Sequence, residues 1–70
     1  MSSDWDFEFA VIDKHQLLRL VPYSLSQITR LEEQNLFPRR LKLGPSRVGW
    51  KLIEIYEFIE KKSLERDEKP

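Results

Sequence analysis

Pro22 is the residue that most narrows what this chain can become. It follows the largely apolar stretch of Leu17, Leu18, Leu20 and Val21. A proline disfavours helical geometry in the residue before it and brings no amide proton to carry a helical ladder onward, so a helix arriving from the N-terminal side stops at Val21. The same start signal stands on either side of it. Asp13 has Gln16 three residues on, and Ser24 has Gln27 three residues on. That is the spacing of a capping box, in which two side chains reciprocally satisfy backbone N–H groups of the first turn. The sequence therefore predicts a first helix over roughly 14–20, a tight turn, and a second helix from Ser24 to about Gln34.

Within the second helix, Leu25, Ile28 and Leu31 recur at helical spacing and form one buried stripe, while Ser26, Gln27, Thr29, Arg30 and Glu33 occupy the opposite face. Asn35 suits a left-handed terminator, and Leu36-Phe37-Pro38 then anchors an extended exit in the core. From Arg40 the chain alternates charge with leucine, Gly44-Pro45-Ser46 supplies turn chemistry, and Arg47-Val48-Gly49-Trp50 reads as a returning strand. A β-hairpin with a basic face is expected. The spacing of Leu52, Ile55, Tyr56, Phe58 and Ile59 is helical again and predicts a third helix that closes the core. Ahead of all this, Trp5-Asp6-Phe7-Glu8-Phe9-Ala10-Val11 alternates apolar with mostly acidic residues, the pattern of a half-buried strand with its aromatic side on the domain. Glu65 to Pro70 hold no apolar side chain and are expected to fray.

These elements give an acidic, aromatic extension over 1–12, a winged helix-turn-helix over 13–63 and a polar tail over 64–70. The fold class is mainly α with a small β-hairpin, and the extension adds room for an extra N-terminal strand. Seventy residues, 40% of them apolar and none of them cysteine, allow one modest core that packing alone must stabilise. The missing cysteines also remove disulfides and zinc-thiolate sites. With neither a secretory signal nor an apolar run of membrane-spanning length, the expectation is a cytoplasmic, nucleoid-associated protein without membrane contact.

The zero net charge is unevenly spread. Residues 1–13 carry Asp4, Asp6, Glu8 and Asp13 and no base, whereas residues 14–51 carry Lys14, Arg19, Arg30, Arg39, Arg40, Lys42, Arg47 and Lys51 against Glu32 and Glu33. A basic middle of this kind suits an anionic partner. Ser24, Ser26, Gln27, Thr29 and Arg30 lie near the start of the second helix, where recognition helices present side chains to base edges; glutamine can read adenine and arginine can read guanine. Arg39, Arg40, Lys42, Ser46 and Arg47 of the hairpin would meet phosphates without regard to sequence. Exposed polar helix faces are usually just solvated, and cations on a hairpin edge often only block edge pairing. The two features on adjacent elements, with few acids between them, favour double-stranded DNA as the partner.

Catalysis finds little support. Asp4, Asp6 and Glu8 on one strand face would suit a metal-dependent nuclease, but no base or cage accompanies them. His15 is the one histidine and covers or caps the first helix, and Ser24 has no triad partner. No enzymatic activity, metal or cofactor is expected. A protein-interaction role is the alternative, with Trp5, Phe7 and Phe9 forming an edge or anchor for a recombinase or a second copy of the chain. A lone small module buries only about 600–1,000 Å² on DNA, so homo-oligomerisation or cooperative assembly would add specificity.

The run from Val21-Pro22-Tyr23-Ser24 through Arg30-Leu31-Glu32, followed by Phe37-Pro38-Arg39-Arg40-Leu41-Lys42-Leu43-Gly44 and Gly49-Trp50, resembles the AlpA family of small prophage-type regulators over about residues 13–60. The resemblance implies a MerR-like or excisionase-like winged helix that binds DNA to control integrase genes or, as an architectural excisionase, to assist excision. It also implies that residues 24–30 belong to the recognition helix and 39–47 to the wing, with Phe37 and Trp50 holding the wing against the core. Thr29 stands where members often have tyrosine, and Asn35-Leu36 replaces a frequent glycine-containing turn. The segment before Asp13 lies outside the resemblance.

Overall fold

In the computed structural model seven elements follow one another: α1 (Asp4–Phe9), β1 (Val11–Ile12), α2 (Lys14–Leu20), α3 (Leu25–Glu33), β2 (Leu41–Gly44), β3 (Arg47–Lys51) and α4 (Leu52–Asp67). The structure describes the backbone of residues 4–67 and the side chains of residues 7–66. Residues 68–70 of the expected tail and the side chains of Asp4, Trp5 and Asp6 lie outside the described residues.

Both capping boxes form. Asp13 accepts from the Gln16 amide at 2.9 Å while Gln16 Oε1 accepts from the Asp13 amide at 2.9 Å, and α2 starts there. Ser24 and Gln27 repeat the arrangement at 3.2 and 3.0 Å to start α3. Val21 is extended, as the following proline demands, so the turn between α2 and α3 is short. At the far end of α3, Asn35 takes the left-handed conformation with φ 61°. Leu36 N–H then reaches back to the Leu31 carbonyl at 2.8 Å and Asn35 N–H to Glu32 at 3.0 Å, the paired bonds of a Schellman ending. The reversal delivers Phe37 to the core.

β1, β3 and β2 form an antiparallel sheet in that order, with Ile12 opposite Trp50 and Leu41 opposite Gly49. The core consists of Ile12, Leu17, Val21, Ile28, Phe37, Trp50 and Ile55, drawn from every element between β1 and α4 except β2. Tyr23, Phe37 and Phe58 meet edge to face beside it, the closest pair being Phe37 and Phe58 at 4.7 Å between ring centroids. With α2 and α3 as the helix pair, β2 and β3 as the wing and α4 as support, the chain is a winged helix-turn-helix.

Two expectations are corrected. Residues 4–9 are helical, and only Val11–Ile12 of the proposed N-terminal strand joins the sheet. The partner strand explains why. Val11 pairs with Lys51, the last residue of β3, and Leu52 begins α4. Beyond Ala10, whose carbonyl accepts from the Leu52 amide at 3.0 Å, no strand among the described residues remains to satisfy an extended backbone. The preceding residues bond among themselves as α1 and pack on α4, where Phe7 stacks on Tyr56 at 4.9 Å. The second correction is at the C-terminal end, where α4 runs on to Asp67 instead of giving way to a tail after Ser63. Lys62 and Glu65 pair at 3.3 Å one turn apart, and the segment is made of good helix formers.

Gly49 is where the sheet tolerates least change. A Cβ there would stand 2.7 Å from Val11 Cγ1, 2.9 Å from Leu43 Cδ1 and 3.1 Å from the Ile12 carbonyl oxygen. The two side chains can yield, but the backbone oxygen belongs to the β1–β3 ladder. Gly49→Ala is expected to cost about 1–3 kcal/mol of stability. In thermal unfolding of a domain this small, that is a fall of roughly 4–8 °C per kcal/mol, whereas Gly44→Ala, with only Arg47 Cβ at 3.9 Å, should shift the midpoint far less.

Candidate nucleic-acid interface

The exposed face of α3 carries Ser26, Gln27, Thr29 and Arg30, all solvent-facing, with Ser24 capping the helix at the same end. Ile28 on the other face is fully buried, so the helix cannot roll to present a different set. Among the described residues Ser26 and Arg30 have no side-chain partner, and Arg30 is left to bond outward. Gln27 differs, because its Oε1 is held by the Ser24 amide at 3.0 Å. The side chain lies back over the first turn with its amide N–H groups unspent. Reading adenine through both amide atoms would require opening the capping box, so the two roles foreseen for Gln27 compete.

Sequence reasoning missed the residue around which the rest is arranged. Glu32, counted above as one more surface acid, is 9% exposed. Its Oε2 accepts from Trp50 Nε1 at 3.0 Å, and both carboxylate oxygens accept from Arg40 Nε, at 3.0 and 3.3 Å. Arg40 Nη2 donates onward to Thr29 Oγ1 at 3.0 Å, and the guanidinium carbon sits 5.2 Å from the centre of the Trp50 ring. No buried side-chain polar atom among the described residues lacks a partner. A signal was present: Glu32 lies four residues after Ile28 and seven after Leu25, on the apolar stripe itself.

The network changes the reading of the wing. Arg40 is not a free cation at its base, since its side chain is 28% exposed and committed to Glu32, Thr29 and the Trp50 ring. Arg39 is exposed and reaches Asn35 Oδ1 only at 3.5 Å. Lys42, Ser46 and Arg47 are exposed and have no side-chain partner among the described residues. The strand register separates the two free cations. Lys42 lies opposite Val48 and therefore shares the face of Val48 and Trp50, while Arg47 shares the other face with Gly49 and Lys51. A single basic face does not form. Cations stand on both sides of the hairpin, and its leucines point away from the helices, with Leu41 half-buried and Leu43 exposed.

His15 lies exposed on α2, and among the described residues no three His, Cys, Asp or Glu side chains are grouped to hold a metal ion. Among the described residues no helix is long and apolar enough to cross a membrane. A family model described as the prophage CP4-57 regulatory protein (AlpA) matches residues 12–63, from the second residue of β1 well into α4. No curated protein matches the chain.

Removing the Glu32 carboxylate strands two buried or half-buried donors. Glu32→Ala is expected to destabilise the fold by about 2–4 kcal/mol, at or below the usual range for a buried pair because Arg40 retains some water. Urea titration followed by tryptophan fluorescence would measure it. Trp50→Phe removes the indole N–H together with part of a fully buried ring, so a cavity adds to the lost charge-assisted hydrogen bond and the cost, followed by circular dichroism, should be at least as large.

Proposed function

The chain belongs to the AlpA family of prophage regulatory proteins, and from that premise we propose that it is a sequence-specific regulator that binds double-stranded DNA, with α3 in the major groove and the β2–β3 wing on the backbone. The observation that carries this reading is the exposed start of α3. Arg30 stands free there beside Ser26 and Thr29, on a helix whose rotation is fixed by the buried Ile28. Arg30 is the residue assigned to guanine, through the paired bonds that a guanidinium makes with O6 and N7. Gln27 offers its amide N–H groups to an acceptor, and Ser24 and Ser26 serve base edges or phosphates near the helix start.

On the wing, Lys42 and Arg47 are assigned to phosphates, with Arg39 and Ser46 beside them. A ribbon bearing cations on both faces suits entry between two backbone walls better than lying along one strand. The action of such a protein is cytoplasmic, on the nucleoid, and either control of an integrase gene or architectural help in excision fits this site. Contact with a recombinase or a second copy is a further part of the reading. Its support is the exposed Phe9, Val11 and Leu43, which are 68%, 43% and 53% accessible; Val11 and Leu43 both lie over Gly49 on the outer side of the sheet.

Footprinting of the purified chain on fragments of its source DNA, over a salt series, tests the proposal. Arg30→Ala should lower the preference for the protected site by about 10- to 100-fold while leaving binding to random duplex nearly unchanged. Lys42→Ala and Arg47→Ala should weaken both duplexes equally, and each should reduce the slope of log affinity against log salt by about one. Equal protection of every fragment by the parent chain would refute sequence-specific reading. The position of the site, beside an integrase promoter or within an attachment site, would separate regulator from excision factor.

A further inference from the structure

The Thr29 hydroxyl has one proton to give and two lone pairs to accept with. One lone pair is taken by Arg40 Nη2 at 3.0 Å. A threonine inside a helix ordinarily spends its proton on the backbone carbonyl one turn back. Thr29 does not: among the described residues its one side-chain hydrogen bond is the one it accepts from Arg40. The hydroxyl is exposed, on the side of α3 that faces the wing, with its proton unspent.

The group that holds it is itself fixed. Trp50, fully buried, pins Glu32 through Nε1; Glu32 holds Arg40 Nε with both oxygens; and Arg40 lies across the Trp50 ring. A chain of contacts thus runs from the centre of the core to one hydroxyl on the recognition face. Accepting from a guanidinium polarises that hydroxyl, which makes its own O–H a stronger donor.

We propose that Thr29 donates its hydroxyl proton to an acceptor atom on DNA, either a base-edge oxygen or nitrogen or a phosphate oxygen, and that Arg40 is the residue that positions it and not a phosphate contact. The inference rests on the DNA-binding reading above and assigns a role within that site. Thr29→Val keeps the side chain's shape and removes the hydroxyl, both the proton and the oxygen that accepts from Arg40; Thr29→Ser keeps both. Arg40→Met removes the support together with its charge.

The test measures affinity of the full chain for the footprinted duplex and for a random duplex of equal length, across salt. Thr29→Val is expected to lose about tenfold, the value of one hydrogen bond left unmade at an otherwise dry contact, with an unchanged salt slope because no charge is removed. Thr29→Ser should recover most of it. Loss confined to the footprinted duplex identifies a base-edge acceptor, and equal loss on both identifies a phosphate oxygen. Parent-like binding by Thr29→Val to both duplexes overturns the proposal, and this exposed substitution leaves the core untouched. In an Arg40→Met background, adding Thr29→Val should cost nothing more and the salt slope should stay that of the parent. Additive losses with a slope reduced by about one would make Arg40 a phosphate contact and also overturn it. A parent chain that shows no DNA binding refutes the DNA-binding reading itself, whereas a binding parent with an indifferent Thr29→Val refutes only this inference.

Discussion

A carboxylate buried to the extent of Glu32 must be answered by donors, because its lost hydration is worth several kcal/mol and nothing apolar compensates for it. Here the answer comes from two places far apart in sequence: the indole of Trp50 on β3 and the guanidinium of Arg40 at the foot of β2. α3 and the wing are thereby bound through one group. Neither can shift against the other without leaving a charge or a buried N–H unpaired. If α3 and the wing dock together on DNA as proposed, a surface whose two elements are already fixed to one another loses less freedom on docking, and the Glu32 cluster is what fixes them.

The same economy of polar groups acts at the start of α3. The bond from the Ser24 amide to Gln27 Oε1 stabilises the helix end, yet it also holds in place a side chain that would otherwise be free to read a base. Helix capping and base readout draw on the same atoms. Arg30, one turn further along, has no such duty, and this is the physical reason to place sequence discrimination there. Thr29 lies between these cases, since its oxygen is engaged by Arg40 while its proton is not.

Much of the fold could be read from local chemistry. The two capping boxes, the stop at Pro22, the left-handed Asn35 and the hairpin turn each depend on a few neighbouring residues, and α2, α3 and the wing stand where those residues placed them. The failures occurred where the deciding partner was distant. Alternation in residues 5–11 looked like a strand, but β3 ends at Lys51 and α4 begins at Leu52, so among the described residues no strand continues opposite it. The candidate DNA-facing residues of α3 were placed by the same local rules, whereas Glu32 and Arg40 were mistaken for surface charges because their pairing spans eight residues and a change of element. Charge type alone did not reveal which cations were already spent.

The wing shows why that distant pairing matters to the fold itself. Arg40-Leu41-Lys42-Leu43 alternates cleanly, and hydrophobicity alone would turn the leucines toward the helices and the charges outward. The structure does the reverse: Leu41 lies opposite Gly49 on the outer face, and Lys42 lies opposite Val48 on the inner one. A slip of one residue would exchange the two sets. It would also pull Arg40 away from Glu32 and Trp50. Register in this hairpin is therefore held by one part-buried ion pair against the pull of its own leucines, and the cost of that choice is the apolar pair Val11 and Leu43 left exposed over Gly49.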